Sequence, residues 1–206
     1  ENVWIGHEMF EGDVVNTSST VVIGARAFED GLDESIQYGV YIGRKIGGEA
    51  YVSGADSKYN VHIGYRASGN KVYGGHNVCI GTSSGQDING LSEYNVMIGE
   101  AAGLEHTNGE YNTFMGYQSG PANNTASGGS NNTCIGNGAQ ISGTTVSNEI
   151  VLGNASVTVL RCQQNSISAL SDQRDKKDIE DIDYGLDLVN SLNFHTKKLK
   201  VKTVKW

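Results

Sequence analysis

The chain has 206 residues, a formal net charge of −8, 28 glycines and a single proline. So much glycine with so little proline excludes collagen, argues against a disordered linker and favours a fold that turns often and regularly. The acidic balance disfavours a nucleic-acid partner, and no stretch approaches the ~20 apolar residues of a membrane helix. Three cysteines, Cys79, Cys134 and Cys162, match neither a disulfide framework nor a zinc pattern, and we expect the first two to be buried packing residues.

A short pattern close to Asn-Val-x-Ile-Gly recurs nine times between residues 1 and 153. Its closing glycines are 17 to 21 residues apart. A period this short and this persistent predicts a stacked β architecture built from about nine units. The closing glycines are Gly6, Gly24, Gly43, Gly64, Gly81, Gly99, Gly116, Gly136 and Gly153.

Side chains alternate along a strand, so Val61 and Ile63 share one face and His62 lies on the other. We expect the Val and Ile positions to form the core ladder. The middle positions vary in size but are seldom strongly polar, and we expect another subunit to cover them. The leading Asn predicts a side-chain ladder or a turn cap, and the glycine predicts a strand end with positive φ or close packing.

A weaker half-repeat of small residues follows each glycine, as in Tyr-Arg-Ala-Ser-Gly69, and then a polar loop of variable length. Together the two halves resemble the head repeats of trimeric autotransporter adhesins. The resemblance covers residues 1–153 and implies a left-handed β-roll in each chain, with three chains packed into a trimer. A single-chain β-helix is the structural alternative, because eighteen residues at ~3.3 Å each are enough to circle one coil.

The repeat pattern ends at residue 153, and the sequence after it has a different composition and spacing. Residues 154–171 predict a strand and linker, and residues 172–206 predict a small α+β appendage. Apolar residues fall near helical spacing from Ile179 to Leu192, and the run 198–203 alternates as a strand does. We therefore divide the chain into 1–153, 154–171 and 172–206.

Ser171 and Asp172 stand at the start of the last segment, with Lys176 five residues beyond the serine. A serine and a lysine can supply a nucleophile and its base, although the same pattern is typical of a helix N-cap with surface charges. The run that contains Ser-Asp-Gln-Arg-Asp-Lys resembles the start of the S74 peptidase family, the intramolecular chaperones of phage tail fibres and tailspikes. The resemblance covers roughly residues 148–206.

That resemblance implies a single-turnover cut between Ser171 and Asp172, with Ser171 as nucleophile, Lys176 as base and Asp172 assisting. Two departures from the family are visible. The chain ends at Trp206, so the chaperone domain looks truncated, and Phe194-His195 stands where the family tends to carry Arg-Pro. Both departures argue against full chaperone competence.

Other candidate sites are weaker. The five histidines lack the spacing of metal ligands, and we expect them to pack; no cofactor is expected. Four tyrosines, Tyr38, Tyr59, Tyr94 and Tyr111, precede strands at equivalent positions. They line either a glycan-binding stripe or a structural ladder.

The sequence thus predicts an all-β, repetitive trimeric β-roll or β-helix stack with a small C-terminal appendage. The predicted function is that of a structural and adhesive segment of a homotrimeric viral tail fibre or spike. It would be made in the host cytoplasm and carried on the virion surface, where it would meet a glycan or protein receptor of the host cell. We expect neither nucleic acid nor membrane as a partner. The alternatives are a cellular adhesin of the trimeric autotransporter type, a polysaccharide-degrading spike and a monomeric solenoid that binds a flat lattice such as ice.

Overall fold

The computed structural model describes seven stretches of the chain. Contacts divide the chain into two units, Glu1–Leu160 and Arg161–Trp206. Only residues 161–163 of the second unit are described, so the predicted appendage at 172–206 and its helix lie outside the described residues. The described stretches are 1–10, 17–28, 36–47, 57–69, 74–88, 92–121 and 128–163.

The described residues contain strands and turns and no helix, which confirms the predicted all-β class. Nine strands form one parallel sheet in the order β1-β2-β4-β6-β7-β8-β9-β10-β11, and β3 pairs with β5 in a second parallel sheet. The strands are β1 (Val3–His7), β2 (Val21–Ala25), β3 (Ile36–Gln37), β4 (Val40–Arg44), β5 (Ser57–Lys58), β6 (Val61–Ile63), β7 (Val78–Ile80), β8 (Val96–Ile98), β9 (Thr113–Met115), β10 (Thr133–Ile135) and β11 (Ile150–Leu152).

Each strand of the large sheet pairs with the equivalent strand of the next repeat. His62 of β6, for example, lies opposite Cys79 of β7, and Ile63 lies opposite Ile80. A chain that returns to the same position once per repeat is a β-solenoid, and the predicted repetitive stack is therefore confirmed. Eight steps of about 4.8 Å between nine strands give a rod roughly 38 Å long.

Glycine at the end of each repeat strand allows neighbouring coils to approach closely. Gly81 and Gly99 have φ of +133° and +132°, a region that residues with a Cβ rarely adopt. A Cβ on Gly81 would also collide with the carbonyl group of Gly99 in the next coil. The predicted role of the glycine, positive φ together with close packing, is confirmed.

The inside of the solenoid differs from the sequence expectation. From β2 to β10, the second residue of each strand in the large sheet faces inward: His62 is 2 % exposed and Phe114 is 0 % exposed. Val61 and Ile63, which we expected to form the core ladder, are only partly buried. That expectation was wrong because the second half of each coil folds over the middle residues.

Residues of that second half close the core within the single chain. Around β2 and β4, Phe28, Ile36 and Ile46 pack against Val22 and Tyr41. A second cluster of the same construction lies further along the rod. It contains Cys79, Ile88, Met97, Ala102, Phe114, Cys134, Ala139 and Ile141.

Candidate functional site

The sequence-predicted catalytic residues Ser171, Asp172 and Lys176 all lie outside the described residues. Their geometry is therefore not part of the fold described above. The self-cleavage assigned to them stays a prediction from the sequence.

Cys79 and Cys134 occupy equivalent inward positions on β7 and β10 and are fully buried, as predicted. Burial raises the pKa of both thiols, that of Cys134 to about 11. A thiol held protonated in this way is a poor nucleophile and a poor metal ligand, so these two residues act as small apolar side chains. Within the described part of the chain, no three His, Cys, Asp or Glu side chains come together as a metal site would require.

His62 is the most unusual residue of the interior. Its ring lies edge-on to the Tyr41 ring at 5.2 Å between centroids. Neither ring nitrogen of His62 finds a hydrogen-bond partner, and burial lowers the pKa of the imidazole to about 3. The side chain is therefore neutral at physiological pH and packs as an aromatic ring.

A ladder of buried asparagines runs along the rod beside the core. The side-chain oxygen of each asparagine accepts the backbone N–H of the equivalent residue in the next coil. The oxygen of Asn77 accepts from Asn95 at 3.0 Å, and that of Asn95 accepts from Asn112 at 2.9 Å. We call this set the asparagine ladder; its members are Asn60, Asn77, Asn95, Asn112 and Asn132.

The side-chain nitrogen of each ladder amide donates a hydrogen bond to the loop that precedes the strand of the next coil. Nδ2 of Asn77 donates to the Ser92 carbonyl at 2.8 Å, and Nδ2 of Asn95 donates to the Gly109 carbonyl at 2.9 Å. Each buried amide thus joins its own coil to the next one and satisfies backbone groups that would otherwise be unpaired. The predicted side-chain ladder is confirmed.

A second ladder, of aromatic rings, lies on the surface, at the repeat position just before that of the ladder asparagines; in the repeat of Tyr38 a glycine, Gly39, stands at the asparagine position. The centroid of the Tyr38 ring is 5.0 Å from that of Tyr59, and the Tyr94 and Tyr111 centroids are 5.1 Å apart. His76 lies between Tyr59 and Tyr94, at 4.8 and 4.6 Å. We call these five residues the aromatic ladder.

All five rings stack face to face, with interplanar angles of 7° to 23°. The backbone at each of them is left-handed, with φ between 56° and 61°. Because neighbouring rings cover each other's faces, mainly the ring edges and hydroxyl groups are exposed. This packing fits the structural interpretation of the tyrosines.

The sequence analysis missed His76 as a member of this ladder. A detectable signal was present, because His76 precedes Asn77 as Tyr59 precedes Asn60 and Tyr94 precedes Asn95.

The first and third positions of each strand in the large sheet point away from the core. We call these two rows the outward face. At the ends of the rod they are well exposed, as shown by Ile5 at 58 % and Ile150 at 73 %. The first row is Val3, Val21, Val40, Val61, Val78, Val96, Thr113, Thr133 and Ile150, and the second row is Ile5, Ile23, Ile42, Ile63, Ile80, Ile98, Met115, Ile135 and Leu152.

Less regular residues border the outward face. The aromatic ladder lies on one side. On the other side, after each glycine, come side chains such as Arg44, Tyr65 and Glu100, which are exposed. The Arg44 guanidinium lies over the Tyr65 ring, 5.8 Å from its centroid.

Comparisons with family models, with curated proteins and with solved structures found no match. No helix that could cross a membrane occurs in the described stretches. The fold and its ladders define the class: this is a β-solenoid repeat protein with a parallel sheet along one side.

Proposed function

We propose that the chain is a structural and adhesive segment of a homotrimeric viral tail fibre or spike that serves in host attachment. The observation that carries the proposal is the unbroken stack of nine strands paired in parallel and in register. A stack of this kind provides a rod of constant cross-section, which suits a fibre better than it suits a compact catalytic domain.

The bonding along the rod supports a load-bearing role. Backbone hydrogen bonds join every pair of neighbouring strands, and the asparagine ladder adds buried side-chain bonds between coils. Strands that are hydrogen-bonded to both neighbours expose little unpaired backbone. Because proteases cut backbone that opens locally, such strands should resist proteolysis. A rod with this construction would persist outside the cell.

The sequence resemblances supply the viral part of the proposal. The repeat resembles adhesin heads, and the segment after residue 148 resembles the S74 chaperones that follow phage fibre shafts. Registration of three long chains involves contacts between distant residues, which form slowly and with errors, so a C-terminal module that aligns the chains has a kinetic benefit. The receptor would be a glycan or a protein on the host surface.

Self-cleavage belongs to the same proposal. Lys176 would accept the proton of the Ser171 hydroxyl, and Asp172 would assist at the bond that is cut. The net reaction adds one water across the Ser171–Asp172 peptide bond. It leaves a carboxylate on Ser171 and a new amino terminus on Asp172, and it occurs once per chain.

Mass spectrometry of the full-length precursor, under native and denaturing conditions, tests the proposal. We expect a trimer in which the wild type and a Ser168→Ala control are cut after Ser171, whereas Ser171→Ala stays intact. An uncut trimer would keep the fibre and remove the catalytic role of Ser171. An uncut monomer would overturn the proposal and favour the monomeric solenoid.

A further inference from the structure

The outward face carries no charged residue along the whole rod. Two positions in each of nine strands make eighteen, of which sixteen are Val, Ile, Met or Leu and two are Thr. The inward residues already form the core clusters of the described chain, and the outward side chains belong to neither cluster. Continuous apolar surface of this kind marks an interaction site in most proteins that carry it.

The face is large enough to be an interaction site. A length of roughly 38 Å and a width of roughly 10 Å, that of three residues at ~3.3 Å each, give about 380 Å² in plane. Apolar patches of ~300–600 Å² are often functional on other proteins.

The regular spacing of side chains on the outward face favours one kind of partner. Rows of Val and Ile follow one another at the strand spacing of about 4.8 Å, and a partner that fills the gaps between them needs the same spacing. Another copy of this chain, lying parallel, has that spacing by construction. A globular partner would match only a few of the nine coils.

We propose that two further copies of this chain cover the outward face, with the three rods parallel. Each copy gives its first row, which contains Val61 and Val78, to one neighbour and its second row, which contains Ile63 and Ile80, to the other. Two rows that each meet a different neighbour make a head-to-tail contact, which can close into a ring. The number of copies, three, comes from the proposed homotrimer. The inference rests on the homotrimer of the proposed function and assigns the surface that forms it.

Two substitutions that add the same charge to one coil test the surface. Ile80→Glu puts a carboxylate on the outward face, and Gln86→Glu puts one on the same coil away from that face. By native mass spectrometry of the full chain, we expect Ile80→Glu to reduce the trimer at least tenfold and Gln86→Glu to leave it unchanged. Far-UV circular dichroism should show the same sheet content in both variants.

A cysteine variant keeps the inference testable if Ile80→Glu does not fold. In a Cys162→Ser background, the double substitution Val61→Cys/Ile63→Cys places a first-row thiol of one copy against a second-row thiol of its neighbour, and mild oxidation should link the chains. Gln86→Cys in the same background should not link. A wild-type trimer in which neither Ile80→Glu nor the double cysteine variant has these effects would overturn the assigned surface and leave the fibre proposal standing. A wild-type monomer would overturn both.

Discussion

The side-chain oxygen of Asn95 accepts the backbone N–H of Asn112, one coil further along the rod, at 2.9 Å. Both residues are fully buried, and Nδ2 of Asn95 also donates to the Gly109 carbonyl. One amide therefore satisfies two backbone groups of the next coil. The most direct measure of what the ladder contributes is the removal of one such amide.

Asn95→Ala should lower the free energy of unfolding by about 2–6 kcal/mol, because two buried backbone groups lose their partners at ~1–3 kcal/mol each. Urea denaturation followed by circular dichroism, at fixed protein concentration, measures the change. Asn137→Ala removes an exposed asparagine and should change stability by no more than ~0.5 kcal/mol. Equal effects of the two substitutions would contradict the ladder's role.

Gly81→Ala should be among the most damaging single substitutions in the rod. The added methyl group meets the Gly99 carbonyl, and the backbone at position 81 lies at φ +133°. We expect a loss of more than ~2 kcal/mol in the free energy of unfolding, or failure to accumulate folded protein. Gly128→Ala is the matched control, since the nearest atoms to its Cβ lie at 3.5 Å. A harmless Gly81→Ala would mean that the coils can separate at this point.

His62 should make the protein sensitive to acid. The pKa of the imidazole is about 3 in the fold, against an ordinary value of 6.5, so the unfolded chain binds the extra proton. Stability due to neutral His62 is complete above pH 6.5 and declines as the pH falls toward 3. Between pH 7 and pH 5 the loss should be about 2 kcal/mol.

Substitution of His62 by Met isolates this effect, since Met97 already occupies the same inward column. The variant should be at least as stable as wild type at pH 7, because two unpartnered nitrogens are removed. Its stability should also decline less between pH 7 and pH 5, as measured by urea denaturation at each pH. His7→Met, at an exposed position, should keep the wild-type pH dependence. If His62→Met loses stability with acid as steeply as wild type, His62 is not the group responsible.

His76 should be replaceable by tyrosine and by little else. His76→Tyr continues the stack between Tyr59 and Tyr94 and should retain stability within ~1 kcal/mol. His76→Asn keeps a residue that tolerates the left-handed backbone, as Asn131 does at the equivalent position, but interrupts the stack. We expect His76→Asn to lower the free energy of unfolding by ~1–3 kcal/mol, at ~0.5–1.5 kcal/mol for each of two ring contacts. Near-UV circular dichroism of the tyrosines should change for His76→Asn, and an unchanged spectrum would argue against a continuous stack.

The sequence predicts the repeat, the all-β class, the role of the glycines and the asparagine ladder, because each depends on spacing alone. It does not predict which strand face is inside, since both faces of Val61–Ile63 carry apolar or aromatic groups. The deciding signal is variation. Inward residues such as Tyr41, Met97 and Cys134 differ in size because each coil fills its own interior, whereas the outward rows stay uniform. Uniform rows are what the proposed contact with copies of the same chain requires. The predicted catalytic segment depends on geometry outside the described residues and remains a prediction.

Uniformity of the outward rows has a further consequence for assembly. If one copy slides along its neighbour by a single strand spacing, Val61 takes the place of Val78 and Ile63 that of Ile80, with almost no change in contact. In the proposed trimer, the apolar rows would therefore hold copies together without setting their axial alignment. That alignment would depend on positions that break the pattern, such as Thr113 and Met115 in the rows and Arg44 and Glu100 beside them. The repeating rows thus fix the spacing of contacts between copies, whereas the axial register of the copies depends on other residues.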